Sequence, residues 1–396
     1  MDHQPAHAGL YRGIRDFATT LGGKVLSFDG AAIRNKSGRD LGNHAVEVIR
    51  VQAGRGWLAK RVYCVESSAD READEAMAAG ELLVVHSLFR GHAPWAHDWA
   101  TRHRKPYWVV PHGCLDPAGL GRRMLAKRLW LSHFAGQLFG DATAMIFATK
   151  REQAKAARWI TGSSAGCGRG DDGRSVIIPW PVPQPSRVEE DVARERFRLQ
   201  HGIPDSATVL LFVGRLHSSK RPVQAIESFL AAELPRAHLV MVGMDGDLTR
   251  AQLQSRIPHS AGDRVHVVGE LNGRGLADAW LASDGYISLS VKENFGYTAA
   301  DALAYGMPVI LSRGHDLAYE LPQRAAGGLA FGWLLPNDSR QAAVEAICEW
   351  YSMVTRGGCA AKNLGDLRDG SRAWVADNLS RERFQSLLRD LATRCT

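Results

Sequence analysis

Two carboxylates flank the start of a helix-like run in the second half of the chain. Residues 291–308 read VKENFGYTAADALAYGMP, with Glu293 in a polar turn and Asp301 eight positions later. The first N–H groups of a helix have no partner within it, so they and the positive end of the helix dipole attract phosphate oxygens. Nearby carboxylates can accept hydrogen bonds from sugar hydroxyls. These residue types in this order indicate a site for a sugar nucleotide.

A pair of cations follows an apolar segment earlier in the same half. The run Val209–Leu216 reads VLLFVGRL and contains Gly214 and Arg215, and Lys220 follows Arg215 by five positions. Arginine offers a planar fork for two phosphate oxygens and lysine a mobile point charge, so together they could clamp a diphosphate. A strand-to-helix turn with solvated cations is the alternative. The carboxylates later in the same predicted sheet favour the diphosphate.

Short runs rich in Val, Ile and Leu alternate with longer helical patterns, which is typical of parallel βαβ units. In the first half the predicted strands are Lys24–Phe28, Val46–Val51, Arg61–Val65, Leu82–His86, Tyr107–Pro111, Ala144–Ala148 and Val176–Pro179. In the second half they are Thr208–Val213, His238–Val242, Val265–Val268, Gly285–Leu289 and Pro308–Leu311. The sequence therefore predicts an α/β protein with two Rossmann-like, doubly wound domains.

The length and a proline-rich segment divide the chain. Its 396 residues exceed what one hydrophobic core usually spans. Four prolines within Pro179–Pro185 forbid helix and central strand, which makes this segment the predicted boundary. We expect an N-terminal domain over 1–183, a C-terminal domain over 184–375 and a final helix over 376–396. The chain opens on a predicted helix, Leu10–Leu21, so the first strand of the N-terminal domain is missing from this sequence or atypical.

Composition excludes several classes of protein. Six cysteines are scattered without a CxxC pair or a His cluster, so neither a zinc site nor a disulfide framework is indicated, and a reducing cytoplasm fits best. No segment reaches the roughly 18 apolar residues that span a membrane, and the N-terminus has no signal-peptide core. The net charge of +7 permits attraction to phosphates, anionic lipid or nucleic acid without choosing among them. We expect no nucleic-acid partner.

Taken in order, these motifs resemble those of the retaining nucleotide-sugar glycosyltransferases of the GT-B fold, in particular the large family 4 (group 1). The resemblance rests on Gly214-Arg215 with Lys220, Glu293-x-Phe295-Gly296, Ala304-x-Gly306-x-Pro308-Val309 and Gly332–Asp338. The first half adds Pro111-His112-Gly113 and Leu115-Asp116-Pro117, similar to bacterial members that build surface polysaccharides.

The resemblance implies two domains facing a cleft, with the acceptor in the first, the donor in the second and a last helix that crosses back. It implies that Arg215 and Lys220 neutralise the donor diphosphate and that Glu293 lies by the transferred sugar. The implied donor-binding residues are Gly214, Arg215, Lys220, Leu271, Glu293, Asn294, Phe295, Gly296, Tyr297, Thr298 and Asp301. Asp301 stands where the family usually has Glu, and Arg221 stands where a glycine commonly follows the lysine.

His112 ends an apolar strand and precedes Gly113, so we expect it to project from the carboxyl edge of its sheet, where open α/β sheets bind ligands. In the family a polar residue here touches the reacting sugar, so His112 and Glu293 are the implied catalytic residues. A histidine that bonds a neighbouring turn is the alternative. His86 ends Leu82–Val85 in the same manner and is a second candidate.

The resemblance also implies the reaction. A hexosyl group would move from a nucleotide-diphosphate sugar, of UDP or GDP type, to a hydroxyl of a saccharide or lipid-linked saccharide in polysaccharide or glycolipid biosynthesis. The acceptor would attack from the leaving group's own face. No acid-rich metal motif occurs in the donor half, so we expect neither a metal nor a cofactor. The alternatives are a nucleotide-binding, catalytically weak partner subunit and a sugar-nucleotide epimerase or hydrolase on the same fold.

Residues 119–140 (GLGRRMLAKRLWLSHFAGQLFG) combine basic and apolar positions in a helical pattern. Such a pattern is typical of a helix that lies at an anionic bilayer surface, which would bring the site to a lipid-linked acceptor. The alternative is that its apolar face packs on its own sheet. We expect the protein in the cytoplasm. If residues 119–140 contact lipid, it would lie at the inner face of the cytoplasmic membrane.

Overall fold

A computed structural model of the chain describes residues 8–27, 48–50, 71–89, 91–117, 124–161, 173–186, 189–324, 328–355 and 359–395. The chain divides into two compact units. The N-unit comprises His7–Pro181 with Glu382–Thr396, and the C-unit comprises Val182–Arg381. The boundaries between the units fall after residues 181 and 381. The sequence predicts domain boundaries after residues 183 and 375.

The N-unit contains two parallel sheets within its described residues. Strands β1 and β2 pair with each other, and β3 to β6 form a four-stranded sheet in the order β3-β4-β5-β6. The strands are β1 (Val25–Ser27), β2 (Val48–Arg50), β3 (Leu83–His86), β4 (Tyr107–Val110), β5 (Ala144–Phe147) and β6 (Ser175–Ile177). The helices are α1 (Ala8–Leu21), α2 (Arg71–Ala79), α3 (His92–His103), α4 (Met124–Trp130), α5 (Gly136–Gly140) and α6 (Lys150–Thr161). The central strands β4 and β5 are buried along their whole length, which explains their continuous apolar sequences.

The last helix of the chain, α14 (Arg381–Cys395), packs within the N-unit. Its Phe384 meets the ring of Phe17 edge-on at a centroid distance of 5.3 Å. Phe17 in turn meets Trp180 at 5.6 Å. All three rings are buried, so residues from the two ends of the chain complete one core.

The C-unit is built on a six-stranded parallel sheet in the order β12-β11-β10-β7-β8-β9. Its strands are β7 (Thr208–Val213), β8 (Ala237–Val242), β9 (Val265–Gly269), β10 (Gly285–Ser288), β11 (Val309–Leu311) and β12 (Gly332–Leu334). Its helices are α7 (Glu190–Gln200), α8 (Pro222–Ala231), α9 (Arg250–Gln254), α10 (Gly273–Leu281), α11 (Tyr297–Ala304), α12 (Arg340–Thr355) and α13 (Cys359–Asn378). The core includes Phe212 and Phe229 on one side and Trp350 of α12, all almost fully buried.

The α/β class with parallel sheets in both halves is confirmed. The sequence did not predict β12, a three-residue strand that pairs with β11. The predicted strand Arg61–Val65 lies outside the described residues. The predicted helix over 119–140 is described from Met124 onward, and a π-helical turn at Leu131–Ala135 separates α4 from α5. None of the helices in the described ranges is long and apolar enough to cross a membrane.

Candidate functional site

The C-unit sheet changes direction between β7 and β10. From β7 the chain builds outward through β8 to β9, and from β10 it builds outward the other way through β11 to β12. Such a switch point leaves a crevice at the carboxyl ends of the two central strands, where open α/β sheets bind ligands. Arg215 and Lys220 follow β7, and Glu293 follows β10. The topology therefore brings the two predicted motifs to one crevice.

Close backbone packing shapes the turn that carries the cations. Gly214 donates from its N–H to the carbonyl of Val242 at 2.9 Å. A Cβ on Gly243 would overlap the carbonyl oxygen of Gly214, so only glycine permits this approach. The turn then closes into a short 3₁₀ helix, Ser218–Lys220, in which the Lys220 N–H donates to the carbonyl of His217 at 2.8 Å.

The cationic turn and the acidic loop are bonded to each other. Val291 donates its N–H to the carbonyl of Ser219 at 2.9 Å, and the Lys220 ammonium forms an ion pair with the Glu293 carboxylate. Both side chains are largely buried, with 27% of Lys220 and 15% of Glu293 exposed. Burial, and then the positive charge of Arg215, lower the pKa of Lys220 to about 8. The guanidinium of Arg215 itself has no hydrogen bond or ion pair with any described residue.

Arg221 adopts a left-handed backbone conformation, which a glycine would adopt without strain. Its φ is +54° and ψ is +47°, in the left-handed region, and it caps helix α8 before Pro222. Its guanidinium lies 3.0 Å from the carboxylate of Asp338. Arg221 therefore preserves the turn, and its charge is directed to Asp338.

The loop of Glu293 is bonded to a neighbouring segment of the chain. Glu293 donates its N–H to the carbonyl of Gly314 at 2.8 Å, and its own carbonyl accepts from Asp316 at 3.0 Å. Gly296 follows with φ +75° and caps helix α11, whose first residues are Tyr297 and Thr298. These bonds fix the direction in which the N-terminus of α11 points, although they leave the dipole end available to an anion.

His315 lies beneath this loop and was missed by sequence reasoning. It is fully buried, and its Nε2 is 2.9 Å from the hydroxyl of Ser288. Its Nδ1 has no partner among the described residues and faces Gly296, where an added Cβ would lie 3.1 Å away. Burial, and then the charge of Lys220, lower the pKa of His315 to about 3, so the ring is neutral. A single histidine in a polar run carried no periodic signal that could have identified it.

The remaining predicted donor residues follow β9 or lie in the loop and helix that follow β10. Phe295 is buried, and the Oδ1 of Asn294 is buried without a hydrogen-bond partner in the described part of the chain. Thr298 accepts a hydrogen bond from the Tyr286 hydroxyl at 2.8 Å. Asp301 lies one turn further along α11, and Leu271 follows β9 with a half-buried side chain.

The N-unit carries a second pair of polar residues at the carboxyl edge of its own sheet. His86 ends β3, and His112 follows β4. The Nδ1 of His86 is 2.8 Å from the Nε2 of His112, and the two rings stack at 5.1 Å. Burial lowers the pKa of His112 to about 3 and, with the neighbouring histidines, that of His86 well below its usual range. Both rings are therefore neutral and share one proton between the facing nitrogens.

The backbone around this pair is strained. His112 has φ +51°, and Ser87 and Phe89, which follow β3, have φ +70° and +63°. Left-handed conformations of non-glycine residues cost energy and cluster at functional sites. The buried carboxylate of Glu152 holds the loop by accepting from the Gly113 N–H at 2.6 Å and the Ala148 N–H at 2.8 Å.

A match to known proteins covers the part of the chain that carries the cationic turn and the acidic loop. Residues 193–354 match the family described as Glycosyl transferases group 1. D-inositol 3-phosphate glycosyltransferase 2 of Catenulispora acidiphila is 32% identical over 141 residues, which are 33% of each chain. The GDP-mannose-dependent alpha-mannosyltransferase of Mycolicibacterium smegmatis is 31% identical over 138 residues, 35% of this chain and 32% of that protein. The chain spans about a third of the length of these curated relatives.

A solved structure resembles nearly the whole chain. The crystal structure of Anabaena Alr3699/HepE in complex with UDP and glucose aligns with a TM-score of 0.74 and covers 99% of this chain and 98% of that one. The sequences are 16% identical, so this likeness shows the fold alone. The expected GT-B fold is thereby confirmed.

Proposed function

We propose that this protein is a retaining glycosyltransferase that moves a hexosyl group from a nucleotide-diphosphate sugar to a hydroxyl of a saccharide or lipid-linked saccharide. One observation carries the proposal. Lys220 and Glu293 meet at the switch point of the C-unit sheet, beside Arg215 and the N-terminus of α11. A group that is anionic at one end and rich in hydroxyls at the other matches this arrangement of cations and carboxylate.

The donor would enter by replacing an ion pair. Its diphosphate would take over Lys220 from Glu293 and would add Arg215, which has no partner among the described residues. Glu293 would then accept hydrogen bonds from the sugar hydroxyls. The exchange gives Lys220 a new counter-charge, and the Glu293 carboxylate, which loses its cation, remains hydrogen-bonded to the sugar hydroxyls.

Stabilisation of the leaving diphosphate supplies most of the catalysis in this proposal. As the bond from the anomeric carbon to phosphate breaks, the sugar acquires oxocarbenium character and the phosphate gains negative charge. Arg215, Lys220 and the α11 dipole would stabilise that charge. The acceptor hydroxyl would attack from the same face and pass its proton to a phosphate oxygen, which preserves the anomeric configuration. His112 would contact the reacting sugar as a neutral ring.

No metal or cofactor is required in this proposal, because the cations neutralise the diphosphate. The donor is proposed to be of UDP or GDP type.

The test measures the thermal stability of the protein with UDP-, GDP-, ADP- and dTDP-sugars, because a bound ligand raises the stability of the folded protein by mass action. Analysis of the products formed with acceptor extracts follows. Transfer with retained configuration supports the proposal. Nucleotide binding without turnover would favour a partner subunit, and turnover without an acceptor would favour a hydrolase or epimerase.

We further propose that helix α4 contacts an anionic membrane during assembly of polysaccharide or glycolipid. Leu125 and Leu129 lie one turn apart and are 77% and 69% exposed, and Arg128 between them is exposed. The following turns pack inward, with Leu131 and Leu138 buried, so the packing alternative accounts for those residues only. Exposed leucines beside a basic residue suit the boundary between lipid headgroups and acyl chains.

The membrane proposal is tested by sedimentation with vesicles. Wild-type protein should bind vesicles that contain anionic lipid, and Leu125→Gln with Leu129→Gln should reduce binding. Leu199→Gln is the matched control, because Leu199 is an 81% exposed leucine on α7 of the C-unit. Equal binding by all three proteins would contradict the proposal.

A further inference from the structure

A second polar cavity lies at the opposite edge of the C-unit sheet. Its volume is about 240 Å³, and Ser283 and Asp284 in its wall immediately precede β10, whereas the switch-point residues follow the strands. The first turns of α7, the end of α10, the residues that follow α11 and the middle of α13 complete the wall. The cavity is therefore separate from the crevice that holds Lys220 and Glu293.

Three guanidinium groups converge on this cavity, from Arg194 of α7 and from Arg368 and Arg372 of α13. Asp284 is shared among several donors. Its carboxylate lies 3.1 Å from Arg194, 3.1 Å from the fully buried Arg198 and 3.8 Å from Arg368. It also accepts from the N–H of Val209 at 2.9 Å. The single negative charge of Asp284 therefore cannot neutralise the three guanidinium groups that lie near it.

The guanidinium groups of α13 retain unused donors. Arg368 is about two-thirds buried and has no hydrogen bond with a described residue, since its distance to Asp284 is too long for one. Arg372 bonds Asp369 at 3.2 Å and the carbonyl of Tyr305 at 3.0 Å, but its Nε is buried without a partner in the described chain. Because the two arginines are four residues apart on one helix face, their charges also repel each other. Burial lowers the pKa of Arg368, the charges of Asp284 and Glu190 oppose that effect, and the charges of Arg194 and Arg372 add to it.

Acidic groups of the same wall limit what could enter. Glu190 and Asp191, from the first turn of α7, also line the cavity. They would repel a polyanion, yet their oxygens can accept hydrogen bonds from hydroxyl groups. The volume is below the roughly 300–1,000 Å³ of cavities that hold drug-sized ligands, so the occupant is smaller than a nucleotide.

We propose that this cavity binds a small phosphate-bearing molecule, with the phosphate on Arg368 and Arg372. The phosphate oxygens would satisfy the unused N–H donors and separate the two like charges. Two sources share this chemistry: inorganic phosphate, which needs only the arginines, and a monosaccharide phosphate, whose hydroxyls would also reach Glu190 and Asp191. The site is independent of the proposed transferase reaction.

The test uses phosphate and glucose 6-phosphate as probes at constant ionic strength, with thermal unfolding and titration calorimetry of the full chain. Arg368→Gln removes no hydrogen bond, so the fold should survive, and unfolding without phosphate verifies this. We expect its dissociation constant for the probe to rise about tenfold or more, as loss of a charged hydrogen bond predicts. Arg340→Gln, a change of an exposed arginine on α12, is the control and should bind like wild type.

A second variant separates this cavity from the switch point, which also attracts phosphate. Lys220→Gln should retain the Arg368-dependent binding. Tighter binding of glucose 6-phosphate than of phosphate would identify a sugar phosphate as the occupant, and equal binding would identify phosphate itself. Binding that Arg368→Gln leaves unchanged, or that Lys220→Gln abolishes entirely, would overturn the proposal.

Discussion

Lys220 and Glu293, which are 73 positions apart in the chain, form an ion pair at the carboxyl edge of the C-unit sheet. The sequence identified each residue from its own motif, and the topology of the sheet explains why they meet. β7 and β10 are neighbours although they are not consecutive, so the turns that follow them share one crevice. In the proposed reaction a diphosphate sugar would separate the pair, and each partner would then acquire a new contact with the ligand.

Replacement of Glu293 separates catalysis from binding. Glu293→Ala should abolish sugar transfer and leave the fold intact, because within the described residues its carboxylate is bonded to Lys220 alone. Nucleoside diphosphate binding should be kept or strengthened, since Lys220 is freed from its partner. Transfer assays and calorimetry with UDP and GDP measure the two effects. Glu227→Gln, on the exposed side of α8, is the control, and wild-type turnover in Glu293→Ala would refute the assignment.

Donor affinity should depend on the protonation of Lys220. Its pKa of about 8 means that the ammonium is charged below pH 8 and increasingly neutral above it. Affinity for a nucleoside diphosphate should therefore be constant near pH 7 and fall as pH rises through about 8, by at most about tenfold per pH unit. Lys220→Arg keeps the charge at all these pH values and should remove the inflection. An unchanged inflection in Lys220→Arg would show that another group titrates.

Gly296 is required for two physical reasons, and they can be separated. Its φ of +75° strains any other residue, and a Cβ would lie 3.1 Å from the Nδ1 of His315. Gly296→Ala should cost about 1–2 kcal/mol of stability from the backbone alone and weaken donor binding as the loop shifts. Gly202→Ala is the matched control, because φ there is +64° with open space around the new Cβ. It should lose stability without any change in donor affinity, and equal donor affinities in the two variants would contradict this view of the loop.

His86 should act by positioning His112. His86→Phe removes the hydrogen bond to Nε2 but preserves a ring against Phe17, so the fold should persist. We expect kcat to fall about threefold to tenfold, which is the value of a neutral hydrogen bond, with little change in the KM of the donor. His103→Phe, at an exposed position stacked on Trp99, is the control. Equal kcat values for His86→Phe and wild type would exclude the positioning role.

Nitrogen NMR of the histidines gives a readout for this pair that needs no turnover. In wild type the tautomers of the two rings should be linked, because a single proton lies between the facing nitrogens and either ring can carry it. In His86→Phe this link is lost, so the nitrogen chemical shifts of His112 should change. Identical His112 nitrogen shifts in the variant and in wild type would contradict the predicted role of His86.

Apolar runs predicted most strands of the four-stranded and six-stranded sheets, because a strand that is buried on both faces needs a continuous apolar sequence. β7 and β8 show this most clearly, with nearly every position buried. The same rule could not find β12, where three residues at the sheet edge include half-buried positions. Short edge strands depend on the neighbour that receives them, and that information is not local.

The sequence predicted the site residues that stand in local motifs of charge and spacing. It did not predict those whose role depends on where they are buried in the fold. Arg215, Lys220 and Glu293 stand in recognisable motifs. His315 does not, since its role depends on lying beneath Gly296 and beside Ser288. Arg221 shows the converse case, because a bulky residue can occupy a left-handed turn when its side chain has a partner such as Asp338.

The aromatic contact between Phe384 and Phe17 links synthesis to folding. Because Phe17 precedes Phe384 in the chain, the segment that carries Phe17 leaves the ribosomal exit tunnel long before helix α14 exists. A nascent chain interrupted after residue 380 would expose the faces of Phe17 and Trp180 that Phe384 covers, and exposed apolar surface of this kind favours aggregation.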